Sequence, residues 1–331
     1  MATLYLVEQG ATLKKEGKRF VVEKGGKIIF EIPAFKIERV LIFGNIQITT
    51  QAISFLLSNR IETSFLTIRG ELKGQLIPPK SKNVILRMTQ FEKAKDKEFT
   101  LNLAKRIVAN KISNSLEIVK GFSYNHPEIN LTEEKKKIKE VLESVDRKNG
   151  IKSLLGIEGI ATVNYFKALA KTFIKGLTFS GRNRRPPRDP VNSLLSFGYT
   201  LAGNEILSLL QATGFDPYIG FYHGIDYGRP SLALDILEEF RHTLIDRFVL
   251  FLSNNSILKN EDFEEVEGGV YLKKESRKVF FKYYEQWLNR EIKDHIEGNK
   301  TTFRKLFLSQ IHRLADCITK GEEYIPYRIC S

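Results

Sequence analysis

Cysteine, methionine and tryptophan are scarce, with Cys 2, Met 2 and Trp 1 in 331 residues. Cys317 and Cys330 lie near the C-terminus in no metal-binding spacing, which argues against a disulfide framework or a zinc ribbon and points to a reducing compartment. His126, His242, His295 and His312 stand in no HExxH or CxxC context, which argues against a zincin. The start, MATLYLVEQG, lacks a basic segment followed by an apolar one, and no apolar run reaches the ~18 residues of a membrane span. A soluble, cytoplasmic protein with no membrane partner is expected. Neither an internal repeat nor a low-complexity tract is apparent.

Negative charge is also in short supply. Lys+Arg number 52 against 39 Asp+Glu, a formal charge of +13, which is the electrostatic footprint of a polyanion binder and makes nucleic acid the leading partner class. What the chain does have is apolar material, 42% of its residues with 11% aromatics, enough for a packed core. Its 331 residues exceed a typical single domain of about 100 to 200, so two domains are expected.

From Thr3 to Ile77 short apolar runs (LYLV, RVLIF, IETSFLTI) alternate with turn signals, and VVEKGGKIIFEI sets Gly25-Gly26 between two strand-like halves as a hairpin. Several short strands at this spacing predict a sandwich or a small rolled sheet, with TQAISFLLSN as one short helix. IPPKSK breaks the pattern, and helical periodicity then runs almost to the end. The expected fold is α+β and multidomain: a β-rich, sandwich-like domain over 1–80, a linker over 81–90, and a mainly α-helical domain over 91–331. Within the latter, EFTLNLAKRIVANKISNSLEIVKGF reads as a helix with a basic face and LTEEKKKIKEVLESVDRK as a charged, solvated one.

Two stretches carry carboxylates where a helix needs explaining. On a wheel of IKSLLGIEGIATVNYFKALAKTF, Asn164, Lys167 and Lys171 form the polar face and Glu158 falls nearly opposite, beside Leu154, Ala161, Thr162, Tyr165 and Leu169. An inward carboxylate is protonated, paired or metal-bound, because burying it alone costs several kcal/mol. Either Glu158 pairs with a buried arginine or it serves a site, and the flanking Gly156 and Gly159 favour a close backbone or ligand approach. In SLALDILEEFRH the same wheel puts Asp235, Glu238, Glu239 and His242 on one stripe, which is either the wet face of an ordinary helix or a face turned to a cation. Before it comes His223 in a loop rich in Gly, Pro and aromatics, with Pro230 placed for a first helical turn and Ser231 for a cap.

Carboxylates with one imidazole, arriving from separate segments, suit Mg²⁺ or Mn²⁺, and such an ion acts on phosphate. Between the acids, FSGRNRRPPRDPVNSLLSFGY carries Arg182, Arg184, Arg185 and Arg188 on a loop stiffened by prolines, a match to phosphate oxygens if it is not simply solvated.

These segments in this order (LLGIEG, DPVNSLLSFGY, GFYHG, GRPSLALDILEEFR and YIPY) resemble the CRISPR-associated adaptation nuclease, the integrase that inserts new spacers into CRISPR arrays. The resemblance spans essentially the whole chain and implies a β-rich dimerisation domain and a helical catalytic domain. It implies Glu158, His223 and Glu238 as ligands of Mg²⁺ or Mn²⁺, with Asp235 as a catalytic-site acid in a supporting or alternative ligand role, and it places the arginine loop and Asn192 near DNA. It also implies double-stranded and branched DNA, CRISPR repeats and short foreign fragments as partners, a homodimer, and a small companion CRISPR-associated protein. A repair nuclease for branched DNA and a non-enzymatic basic binding module remain as alternatives on the residues alone.

Overall fold

A computed structural model describes residues 2–77, 83–183 and 185–329. The chain divides into two compact units, 1–80 and 81–331.

The first unit holds β1 (Ala2–Leu6), β2 (Thr12–Glu16), β3 (Arg19–Lys24), β4 (Lys27–Pro33), β5 (Ile37–Phe43), β6 (Gln47–Ile48), α1 (Thr50–Ser58), β7 (Glu62–Leu66) and β8 (Leu72–Leu76). They form two four-stranded sheets, ordered β1-β5-β7-β8 and β4-β3-β2-β6. Gly25 and Gly26, at φ 57° and 76°, supply the left-handed turn that lets β3 fold back on β4 with Lys24 opposite Lys27. Leu4, Leu6, Val40 and Ile42 of one sheet and Leu13, Phe20 and Val22 of the other share one core with Ala52 and Leu56 of α1. The sandwich and the short helix over 50–58 are thus present.

The second unit contains α2 (Val84–Lys95), α3 (Lys97–Asn125), α4 (Thr132–Glu143), α5 (Ile151–Thr172), α6 (Pro190–Thr213), α7 (Ser231–Leu237), a π-helical turn over Arg241–Asp246, and α8 (Arg247–Asn254). Hairpins β9 (Phe263–Val266)/β10 (Gly269–Leu272) and β11 (Glu291–Lys293)/β12 (Lys300–Thr302) flank α9 (Lys274–Leu288), and α10 (Phe303–Lys320) follows. Among the described residues no helix is long and apolar enough to cross a membrane.

Of the linker expected over 81–90, the described part is helical from Val84 onward; Pro78, Pro79 and residues 80–82 lie outside the described residues. The reason is local. Asn83 caps α2 by accepting from Leu86 N at 3.2 Å, and the buried Gln90 donates to Asp216 O and Ile219 O at 2.8 Å each while accepting from Asp216 N at 2.9 Å. A side chain fully committed to the loop before His223 makes this segment part of the site's support.

Candidate metal centre

Three elements bring the expected ligands together. Glu158 sits mid-way along α5, His223 in the loop after α6, and Glu238 one residue past the end of α7. The wheel placed Glu158 correctly against Leu154, Ala161, Tyr165 and Leu169, all buried. Asn164, expected on the wet face, is buried as well, its Nδ2 turned back to donate to Ile160 O at 2.8 Å.

The partner of Glu158 is a lysine, where the pairing alternative anticipated an arginine. Lys111 Nζ of α3 donates to Glu158 Oε1 and lies 2.5 Å from Glu238 Oε2. Thr162 Oγ1 adds a bond to Glu158 Oε1 at 2.7 Å. On the other side, Glu238 Oε1 accepts from Arg241 Nε at 2.9 Å and is 3.8 Å from His223 Nε2. Burial pushes both carboxyls up, but the neighbouring cations win. Lys111 holds Glu158 below its ordinary range despite the opposing charge of Glu238, and Arg241 and Lys111 hold Glu238 far below it.

Asp235 does something different. Its Oδ2 accepts from Phe221 N at 2.6 Å and Tyr222 N at 3.0 Å, and its Oδ1 accepts from His223 N at 2.8 Å and pairs with His223 Nδ1 at 2.7 Å. Because a carboxylate only accepts, Nδ1 carries a proton, so in the neutral ring the lone pair falls on Nε2, 3.8 Å from Glu238 Oε1. Asp235 therefore folds the loop and fixes the tautomer, the geometry of a carboxylate that orients a metal-binding histidine. Gly220 makes room for it, since a Cβ there would lie 2.9 Å from Asp235 Oδ2 and 2.8 Å from Ser231. Ser231, expected as a cap, instead donates to Gly224 O at 2.9 Å and closes the same loop.

The four-residue stripe is not a wet face: Asp235, Glu238, Glu239 and His242 are all buried. Nor is it one stripe, because α7 ends at Leu237 and the chain passes into the π turn, so a constant 100° per residue no longer applies. Glu239 turns to the C-terminal YIPY segment, accepting from the Tyr324 hydroxyl and from Tyr327 N at 2.8 Å. His242 Nδ1 pairs with Asp246 Oδ2 at 2.7 Å and its ring packs on Tyr165.

The arginine loop is partly structural. Asn192, expected near DNA, is fully buried: its Oδ1 accepts from Arg182 and from Asn183 N, and its Nδ2 donates to Gly181 O and Asp189 Oδ2. Arg182 is drawn inward by Asn192 and Ser196 and lies over the Tyr199 ring. Arg185 and Arg188 are exposed, and Arg184 lies outside the described residues.

Among the described residues no three His, Cys, Asp or Glu side chains are spaced to hold a metal ion as they stand. The donor set still fits one: two carboxylates already share a cation, His223 Nε2 lies 3.8 Å from one of them, and the Tyr222 hydroxyl is buried beside them without a hydrogen-bond partner. Thr162 is a wheel neighbour of Glu158 in the sequence, whereas Lys111, Arg241 and Tyr222 carry no such sign. Lys111 did leave a signal, falling on the inward face of α3 with Ile107, Val108, Ile112, Ser115 and Leu116 rather than on a solvated basic one. A Cβ added at Gly156 or Gly159 would meet nothing beyond its own helix within 4 Å, so no close approach among the described residues explains them.

The family model for CRISPR associated protein Cas1 matches residues 4–286. The chain belongs to the Cas1 family. It is 36% identical to the CRISPR-associated endonuclease Cas1 3 of Thermus thermophilus, over 99% of this chain and 98% of that protein. Among solved structures it resembles a Cas1 protein from Thermotoga maritima (TM-score 0.83, 27% identity, 98% of each chain covered). A casposase bound to its integration product shares the fold, with TM-score 0.85 at 24% identity over 98% of this chain and 93% of that one. The β-rich unit followed by a helical one is thus the Cas1 fold.

Proposed function

We propose that this chain is a metal-dependent DNA endonuclease and integrase of CRISPR adaptation, joining the 3′-hydroxyl of a short DNA fragment to a phosphodiester at a repeat border. The observation that carries the reading is the convergence of Glu158, Glu238 and His223 Nε2, with His223 oriented by Asp235. The relatives' activity as endonucleases supports the same reaction class.

Mg²⁺ or Mn²⁺ would be held by Glu158, His223 and Glu238, and would supply charge neutralisation of the phosphodiester and activation of the attacking hydroxyl or water. The chain's own residues do the rest. Asp235 keeps the proton on Nδ1 and Nε2 free, Arg241 keeps Glu238 ionised, and Tyr222 has a hydroxyl available to donate to an oxygen bound in the site. Exposed Arg185 and Arg188, on a chain of charge +13, suit contact with DNA phosphates.

The expected homodimer would use the N-terminal unit, where edge strand β4 leaves Ile28, Ile29 and Phe30 exposed. Family membership carries the proposal of a small companion adaptation protein. The deciding experiment is cleavage and strand transfer on a repeat-containing duplex, wild type beside Glu158→Gln, with Mn²⁺, Mg²⁺ or chelator. Metal-dependent joining at repeat ends that the variant lacks is expected. Cleavage of branched DNA without preference for repeat borders would instead indicate a repair nuclease, and binding without metal-dependent chemistry a non-enzymatic module.

A further inference from the structure

Where a divalent ion would sit between Glu158 and Glu238, the chain has put a charge of its own. Lys111 Nζ bridges the two carboxylates with a side chain only 8% exposed, against 16% for Glu158 and 4% for Glu238. We propose that Lys111 is a built-in counter-cation: it neutralises the two acids while no metal is bound, and it withdraws when one binds, so that it stabilises the metal-free protein and lowers the affinity for the ion. The inference rests on the metal-dependent reading above.

Three features support it. The two carboxylates come from different elements and meet on one nitrogen, so without a cation they would face each other with little solvent to screen them. Among the described ion pairs Lys111 is the basic partner of Glu158, whereas Glu238 also has Arg241, so removing the lysine charge uncovers Glu158 above all. The two basic residues also differ in kind. Arg241 is planar, packs over the Tyr199 ring 4.8 Å away and holds Glu238 through Nε, a fixture of the site. Lys111 ends a flexible four-carbon stem with a rotatable point charge, the side chain that can give up one partner for another.

The test measures metal binding and stability, apart from catalysis. Full-length wild type, Lys111→Met and Glu158→Gln are titrated with Mn²⁺ by calorimetry, and their thermal unfolding is followed in chelator and in Mn²⁺. Lys111→Met should bind Mn²⁺ about tenfold tighter or more, melt lower than wild type in chelator, and gain more from Mn²⁺. Should Lys111→Met fail to fold, the double variant Lys111→Met with Glu158→Gln, which removes the uncovered charge and leaves the Glu238–Arg241 pair intact, should melt above the single one; a double variant no better than the single would overturn the proposal. Unchanged or weaker Mn²⁺ binding in Lys111→Met, with binding lost in Glu158→Gln, would refute the counter-cation and leave the metal reading standing. Mn²⁺ binding indifferent to Glu158→Gln would remove the metal reading itself, and this proposal with it.

Discussion

Glu238 and Glu239 are neighbours in sequence, both are buried, and they belong to two different regions of the molecule. Glu238 faces α3, Arg241 and His223, where the Arg241 and Lys111 cations hold its carboxyl far below the ordinary range. Glu239 faces the C-terminal segment, where a tyrosine hydroxyl and one backbone N–H do not match the penalty of burial, and its pKa is pushed up to about 8. What separates them is company rather than depth. A carboxylate paired with cations stays charged, while one whose hydrogen bonds come from neutral donors, with only the more distant Arg313 charge to offset burial, is a strut that ties Tyr324 and Tyr327 to the π turn.

The largest effect should come from breaking that distinction on the site side. Glu238→Gln should abolish metal-dependent cleavage and strand transfer, and leaving Lys111 and Arg241 short of a buried partner should cost about 3 kcal/mol of stability. Glu239→Gln should keep turnover within a few-fold of wild type. Loss of turnover in Glu239→Gln with an intact fold would erase the contrast between the two neighbours.

Asp235→Asn should come next, because an amide cannot accept at both ends from three backbone N–H groups and the imidazole. A loss of about 10- to 100-fold in Mn²⁺ affinity or activity is expected, as when the partner of a ligating histidine is removed. Parallel measurement of Mn²⁺ binding and of melting separates a misdirected His223 from general unfolding.

The pH dependence of stability sharpens the comparison more gently. A carboxyl raised from 4.5 to about 8 on folding contributes stability that is complete below the unfolded value and is lost as pH rises through about 8. Glu239→Gln should therefore flatten the decline of melting temperature over that interval, by at most about 1.4 kcal/mol per pH unit. Glu238 has the opposite sign: its contribution is present above the ordinary value of 4.5 and fades as pH falls below it, so Glu238→Gln should flatten the acid limb. Melting curves from pH 2.5 to 9 on both variants decide between these signs.

The smallest change in stability, though not in binding, belongs to the exposed arginines. Reversing Arg185 or Arg188 to Glu should leave melting unchanged, weaken duplex binding and reduce the salt slope by about one for each phosphate that is no longer neutralised. A salt slope identical to wild type would remove the loop from the DNA interface.

Much of this chain is legible because it depends on patterns a few residues long. The Gly25-Gly26 hairpin, the strand-rich start, the helical remainder and the inward Glu158 follow from turn chemistry and from periods of 2 and 3.6, and the motifs of the resemblance name Glu158, His223, Asp235 and Glu238, which the fold brings near one another. Charge composition likewise points to a polyanion partner, since it is a sum over residues and needs no fold. The tertiary structure decided who stands next to whom. Only the packing of α3 against α5 and the π turn puts Lys111 and Arg241 on the two glutamates, and only the break after Leu237 sends Glu238 and Glu239 to different neighbours. Asn192 and Arg182, which read as DNA contacts in sequence, became the inner frame of their loop for the same reason. The ionisation of a buried carboxylate, and hence its chemistry, is set by groups within a few ångströms in space, and in this protein those groups come from sequence positions as far apart as Lys111, Glu158 and Glu238.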